Sequence, residues 1–282
     1  MWEASSLRSS SRSRSRIDVQ NHRPRKRFGQ NFLADAHYVR RIVAAIDPKP
    51  GDNIVEIGPG LAALTGDLVS RAKRIAAVEI DRDLAARLRE RFADGLDLHE
   101  ADALEFDFAT LGTDLRIVGN LPYNISSPLL FRFVQHADRV RDVHVMLQKE
   151  VVSRMAADPG TADYGRLTVM LQAAFRIERL FVVPAGAFRP APKVESALAR
   201  LVPLGKDKPS IADQALFARV VAAAFAQRRK TLRNALSSLS SAEDFARAGI
   251  DPALRGEALS VADFVRLANT LTTKDRAASP AP

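Results

Sequence analysis

The chain of 282 residues contains no cysteine. Disulfides and thiolate metal sites are therefore excluded. Histidine is scarce, and His22, His37, His99, His136 and His144 show no ligand spacing, so a metal centre is not expected. No apolar run approaches the roughly 20 residues of a membrane-spanning helix. The N-terminus lacks the apolar region of a secretory signal. Internal repeats are absent. What is there is an ordinary globular mix, 46% hydrophobic and 27% charged, able to bury a sizeable core. The length is long for one domain and short for two full ones.

The net charge of +9 is unevenly spread. Arg8, Arg12, Arg14, Arg16, Arg23, Arg25, Lys26 and Arg27 face Glu3 and Asp18 in the first 27 residues, a local net of +6 that leaves +3 for the rest. A basic arm of this kind suits a polyanion such as nucleic acid. Its Ser/Arg composition cannot form a core, so residues 1–22 are expected to be a disordered tail. An acid-poor Ser/Arg start is also the composition of an organelle transit peptide.

The chemistry is concentrated at Asn120-Leu121-Pro122-Tyr123. The apolar run over 115–119 reads as a buried strand. It ends in a turn whose Pro fixes the backbone. The turn offers an amide, free carbonyls and an aromatic ring. Methylating an exocyclic purine amine calls for such groups, because its lone pair is delocalised into the base. The Asn120 side-chain oxygen and the Leu121 carbonyl can hold the two N–H bonds, and Tyr123 can stack on the base. An Asx-type turn with a core Tyr would use the same residues.

Upstream, a strand over 53–57 runs into Gly58-Pro-Gly60-Leu-Ala-Ala63 and a helix over 63–70. Gly58 and Gly60 allow a tight turn and close approach of a ligand at a helix start. A second strand over 74–80 carries Glu79, 21 positions after Gly58, where an acid can accept both ribose hydroxyls. A third, over 96–99, precedes Asp102, whose carboxylate can accept from an adenine amine. Three strand ends offering Gly58, Glu79 and Asp102 form a coherent nucleoside pocket. The G-x-G-x-x-A pattern equally fits a nicotinamide dinucleotide fold. Glu56 ahead of the glycines and the stiffening Pro59 lean away from it.

The remaining expectations follow the chain. Residues 23–33 pack over the ligand site, with Asn31 toward the ligand, and Asp35 caps the next helix. Asp81 caps a helix over 84–92, and another spans 127–136. A fifth strand covers 143–147. Residues 163–166 read as a flexible loop. Pro190 and Pro192 stiffen the loop bearing Phe188, which would face Tyr123 across a base, or plug the core. A last, antiparallel strand spans 197–202. A helix over 217–236 carries Arg228, Arg229, Lys230 and Arg233, which suit a phosphate backbone or a solvated face.

Six segments occur in order: Lys26-Arg-Phe-Gly-Gln-Asn-Phe-Leu33, Glu56-Ile-Gly-Pro-Gly-Leu61, Asn120-Leu-Pro-Tyr-Asn124, Gln148-Lys-Glu150, Tyr164-Gly-Arg166 and Phe188-Arg-Pro-Ala-Pro-Lys-Val-Glu-Ser196. Together they resemble the small-subunit (16S-type) ribosomal RNA adenine N6-dimethyltransferase family, in its bacterial ribosome-maturation branch. The resemblance implies an α/β fold, a Rossmann-like class I methyltransferase sheet with one antiparallel strand, plus a small all-helical C-terminal domain. The expected division is a basic arm over 1–22, the methyltransferase domain over 23–205, a helical RNA-binding domain over 206–275 and a frayed tail over 276–282.

The resemblance further implies S-adenosyl-L-methionine held by Asn31, Leu33, Gly58, Glu79, Asp102 and Asn120, without metal. Asn120, Leu121, Pro122, Tyr123 and Phe188 would serve the transfer. The implied partner is small-subunit ribosomal RNA within an immature subunit, met by a cytoplasmic monomer with no membrane association. Ala62 stands where the family usually has Gly. The alternatives are an oxidoreductase, a non-catalytic RNA-binding relative and a DNA adenine methyltransferase. The first lacks a His or Tyr/Lys constellation, the second does not explain the intact turn, and the third needs a larger recognition region.

Overall fold

The computed structural model describes residues 30–278, with side chains as far as residue 273. The expected basic arm, residues 26–29 of the first segment and residues 279–282 of the expected tail lie outside the described residues; residues 276–278 of that tail are instead the last residues of a helix. The chain opens with β1 (Phe32–Leu33), α1 (Ala36–Ile46), β2 (Asn53–Ile57), α2 (Thr65–Ala72), β3 (Ile75–Glu79), α3 (Arg82–Arg91) and β4 (Leu96–Glu100). There follow β5 (Leu115–Asn120), α4 (Ser126–Gln135), β6 (Val140–Gln148), α5 (Lys149–Met155), α6 (Arg166–Gln172), β7 (Phe175–Val183), β8 (Phe188–Arg189) and β9 (Ser196–Pro203). The C-terminal part holds α7 (Gln214–Ala226), α8 (Leu232–Ala235), α9 (Ala242–Ala248) and α10 (Val261–Ala278).

Seven strands form one sheet in the order β4-β3-β2-β5-β6-β9-β7. Five of them, β2 to β6, pair in parallel, and β9 runs antiparallel to both of its neighbours. Both faces of the sheet are covered, so alternate residues of one strand enter different cores. In β2, Ile54 packs with α1 and α2 while Val55 and Ile57 face α4. Val118 and Ile117 divide in the same way in β5. Asp35 caps α1 as expected, accepting from His37 N–H at 2.7 Å, and the buried stripe is Val39, Ile42, Val43 and Ile46.

An ion network ties the strand starts together. Arg116 of β5 donates to Asp52 at 2.7 Å and to Asp142 of β6 at 2.9 and 3.0 Å. It also donates to the Ile46 carbonyl at the end of α1 at 2.6 Å. Burial raises the Asp142 carboxyl, but His144 and Arg116 outweigh it and hold the group at about 2. This clamp occupies the sheet end where β5 and β6 begin, leaving the opposite end for chemistry.

A third core joins the C-terminal helices to the sheet domain. It contains Phe217, Val220, Leu232, Phe245, Phe264 and Leu267, and it also takes Ala157, Tyr164, Val169 and Ala173. Helix α6 therefore turns Leu171 to the sheet core and Val169 to the helical one.

Two expectations are corrected here. Residues 163–165 do form a loop, but an anchored one: Tyr164 is buried and packs edge-on to Phe225 at 6.0 Å, and α6 already starts at Arg166. The helix over 217–236 is broken after Ala226. Arg228, Arg229 and Lys230 lie in the turn that follows, and Arg233 lies in the short α8. The turn is fixed from outside, by Leu232 N–H on the Leu254 carbonyl at 2.7 Å and by the Arg228 guanidinium on the Ala162 carbonyl at 2.8 Å.

Candidate active site

The strand order reverses between β2 and β5, which places a crevice at their carboxyl ends. A cavity of about 290 Å³ fills it, at the small end of the range for small-molecule sites. Its lining includes Asn31, Leu33, Gly58, Glu79, Asp102, Asn120, Leu121, Pro122 and Tyr123. Nine of the ten expected site residues thus meet in one place. Phe188 does not.

The glycine turn follows β2 directly. Gly58 and Gly60 both have left-handed backbones, with φ of 62° and 57°. A side chain at Gly60 would also stand 3.1 Å from the Phe32 ring. Ala62 is left-handed too, at φ 61°, a conformation that strains a residue carrying Cβ. Its N–H closes a turn on the Pro59 carbonyl at 2.9 Å, and the turn continues to Leu64. Helix α2 therefore begins at Thr65, two residues later than the sequence pattern suggests.

Glu79 ends β3 with its carboxylate buried. One oxygen accepts from Gly60 N–H at 3.1 Å and the other from Asp81 N–H at 2.9 Å. A carboxylate has roughly four acceptor positions, so capacity remains on the cavity side. Burial raises its pKa, and the backbone bonds from Asp81 and Gly60 oppose that rise. Asp102 caps its own turn by accepting from Leu104 N–H at 2.9 Å through one oxygen.

Glu56, on the floor of the cavity, is fully enclosed. Burial, with the Glu79 carboxylate adding repulsion, pushes its carboxyl up to about 8. The acid is therefore protonated at neutral pH. Its Oε2 atom has no hydrogen-bond partner among the described residues. Glu56 entered the sequence pattern without a chemical role; a carboxyl inside an apolar strand, two residues before a glycine turn, was the available signal.

At the end of β5 the Asn120 amide nitrogen donates to the Asn31 carbonyl at 2.8 Å. That fixes the amide and leaves its oxygen as the acceptor toward the cavity. Leu121 N–H donates to the Met146 carbonyl at 3.1 Å, which ties the turn to β6. The Pro122 carbonyl is occupied, accepting from Ile125 N–H at 3.2 Å and the Ser126 hydroxyl at 3.1 Å. Of the turn's expected free carbonyls, this one is withdrawn. The Tyr123 hydroxyl meets the Ser196 hydroxyl at 2.7 Å. Gly119 has a role that sequence reasoning missed: a Cβ there would stand 2.8 Å from the Ile57 carbonyl and 2.9 Å from the Leu121 side chain.

Phe188 does not face Tyr123 across the cavity but takes the other of its two expected places, the core. It pairs with Leu33 across the β1–β8 ribbon, is fully buried, and belongs to the core that includes Val39, Val43 and Leu198. The two prolines do not decide which way the ring turns. The apolar surface of α1 does, because burying a Phe there stabilises more than leaving it on an open rim.

These residues suit S-adenosylmethionine. A diol fits Glu79 and an amine fits Asp102, both of which line the cavity. Among the described residues no group of His, Cys, Asp or Glu is placed to hold a metal ion. Fold and cavity together define a class I methyltransferase that uses S-adenosylmethionine.

The model of the "Ribosomal RNA adenine dimethylase" family matches residues 21–273. The chain belongs to this family. It is 60% identical over 257 residues to "Ribosomal RNA small subunit methyltransferase A" of Aromatoleum aromaticum, covering 91% of this chain and 97% of the relative. The protein of the same name from Thiobacillus denitrificans is also 60% identical, over 90% of this chain and all of the relative. Among solved structures, a dimethyladenosine transferase from Plasmodium falciparum shares the fold, with a TM-score of 0.76 at 24% identity, covering 86% of this chain and 98% of that one. The 23S rRNA methyltransferase ErmE aligns with a TM-score of 0.66 at 26% identity, over 86% of this chain and all of that one.

Proposed function

We propose that this protein dimethylates N6 of two adjacent adenosines in a hairpin loop near the 3′ end of small-subunit ribosomal RNA, on an immature subunit. Family membership and the names of the relatives support the RNA and the reaction. One structural observation supports the site assignment: the Asn120 amide is clamped through its nitrogen to the Asn31 carbonyl, which leaves its oxygen as the acceptor, and Asn120 and Leu121 both line the cavity.

In this reading Glu79 accepts the ribose hydroxyls, Asp102 the adenine amine, and Gly58 lets the backbone approach the methionine end. Asn31 and Leu33 close the cavity from above. Bound there, S-adenosylmethionine supplies a methyl group on a sulfonium, whose sulfur departs with the electron pair of the broken bond. The target adenosine leaves its stack, which is easiest in an RNA loop. Tyr123 takes one face of the base. Asn120 Oδ1 and the Leu121 carbonyl each accept one N6–H, which favours a pyramidal nitrogen with its lone pair free to attack. Pro122 holds these two acceptors at a fixed spacing. The amine loses one proton for each methyl it gains. No strong base is required, and orientation supplies most of the rate.

The test is incubation with labelled S-adenosylmethionine and either isolated small subunits or naked ribosomal RNA, followed by nucleoside analysis. Label in N6,N6-dimethyladenosine at two adjacent positions supports the reading. Label in another nucleoside, or none with either substrate, overturns it. Transfer to naked RNA as fast as to particles would remove the immature-subunit requirement alone. No helix among the described residues is long and apolar enough to cross a membrane. The cytoplasmic location and monomeric state remain part of the proposal.

A further inference from the structure

We propose that Ser196 is a positioning residue for the transfer, acting through the Tyr123 ring. The inference rests on the role proposed above for Tyr123. Ser196 begins β9, is fully buried, and does not line the cavity. It pairs with Gln148 of β6 on one side and Val183 of β7 on the other, so the sheet fixes its place from both directions. Tyr123, 73 residues away, stands instead on a short helical turn with its ring half-buried at the cavity.

The backbone end of Tyr123 is held by Pro122, whose carbonyl accepts two bonds. The far end is held by the 2.7 Å contact of its hydroxyl with Ser196 Oγ. A ring tethered at one end can swing about its side-chain torsions. Tethered at both, it presents one fixed face to the cavity. The hydroxyl pair thus carries the rigidity of the sheet to the one aromatic wall supplied by the catalytic turn.

The two methyl transfers need that wall unequally. Before the first, N6 has two N–H bonds for two acceptors. After it, one N–H remains. The base is then oriented by one hydrogen bond and the stack, so a swinging ring harms the second transfer more than the first.

The experiment is single-turnover methylation, resolving mono- and dimethyladenosine, with Ser196→Ala, Tyr123→Phe, the double variant and Tyr123→Ala, alongside thermal melting. Ser196→Ala and Tyr123→Phe should each slow the second transfer by about tenfold, the worth of one lost positioning hydrogen bond. Monomethyladenosine should accumulate, and the double variant should be no slower than the slower single variant. Three results overturn the proposal: a normal product ratio in Ser196→Ala, equal slowing of both steps in proportion to lost stability, or additive slowing in the double variant. Tyr123→Ala separates the layers. If it is slow while Ser196→Ala is normal, this inference alone fails. If Tyr123→Ala methylates at the wild-type rate, the role of Tyr123 fails with it.

Discussion

Glu56 is the residue whose chemistry is least ordinary. In the folded protein it keeps its proton up to about pH 8, whereas an unfolded chain loses it in the usual carboxylate range. Between those limits the native state binds more protons than the unfolded one. The contribution of Glu56 to stability is therefore complete at acid pH and lost as pH rises toward 8. Glu56→Gln should flatten that decline in melting temperature, measured without ligand from pH 5 to 9. A variant whose melting curve against pH parallels the wild type would show that Glu56 is ionised in the fold. Gly119 tests sterics instead. Gly119→Ala pushes a methyl group against the Ile57 carbonyl and the Leu121 side chain. It should cost about 1–3 kcal/mol of stability and displace the turn over 120–123. Turnover should fall by roughly 100-fold, the effect of about 1 Å of misplacement in a reacting site. Unchanged melting and turnover would refute the close contact.

At the scale of elements, the strands and their acids were legible because parallel strands buried on both faces leave short apolar runs that end in polar residues. Asn53–Ile57 stands where the pattern put it, and Glu79, Asp102 and Asn120 sit at or just after strand ends. The start of α2 was not legible, because Ala62 takes a backbone that its residue type disfavours. Phe188 was illegible for a different reason: proline stiffness says nothing about which surface a ring finds. The basic turn after α7 shows the same limit. Apolar spacing over 217–236 suggests one helix, but bonds from residues 162 and 254 hold a turn there. The turn leaves Arg229, Lys230 and Arg233 exposed, while Arg228 is engaged with Ala162 and Glu257. Replacing Arg229, Lys230 and Arg233 by Gln should make log affinity for the particle fall less steeply with log salt, by about 0.7 per lost phosphate contact. Cofactor affinity should not change. An unaltered slope would make these groups a solvated surface.

The whole molecule is joined through residues 157–173, which supply Tyr164 and one face of α6 to the helical core. This long-range burial explains why a stretch with Asp, Gly and Arg reads as a loop in sequence. Its partner, Phe225, arrives some sixty residues later. Tyr164 also carries a buried hydroxyl without a hydrogen-bond partner among the described residues. Tyr164→Phe should therefore preserve or raise the melting temperature, since it removes an unsatisfied group. Tyr164→Ala should lose about 3–5 kcal/mol by opening a cavity between the two parts. Melting that ranks Phe below wild type would show that the hydroxyl has a partner.

The central claim is that Asn120 holds the target amine, with its amide oriented by Asn31. The most direct measurement is single-turnover formation of dimethyladenosine by Asn120→Ala, paired with its melting temperature and its affinity for the ribosomal particle. A turn-stabilising Asn would cost about 1 kcal/mol of stability and leave the rate alone. A positioned acceptor is worth about 2.7–4 kcal/mol in a reacting site, so the rate should fall by roughly 100-fold or more. Particle affinity should persist, because contacts to the phosphate backbone supply most of it. A folded Asn120→Ala protein that dimethylates at nearly the wild-type rate would contradict the account.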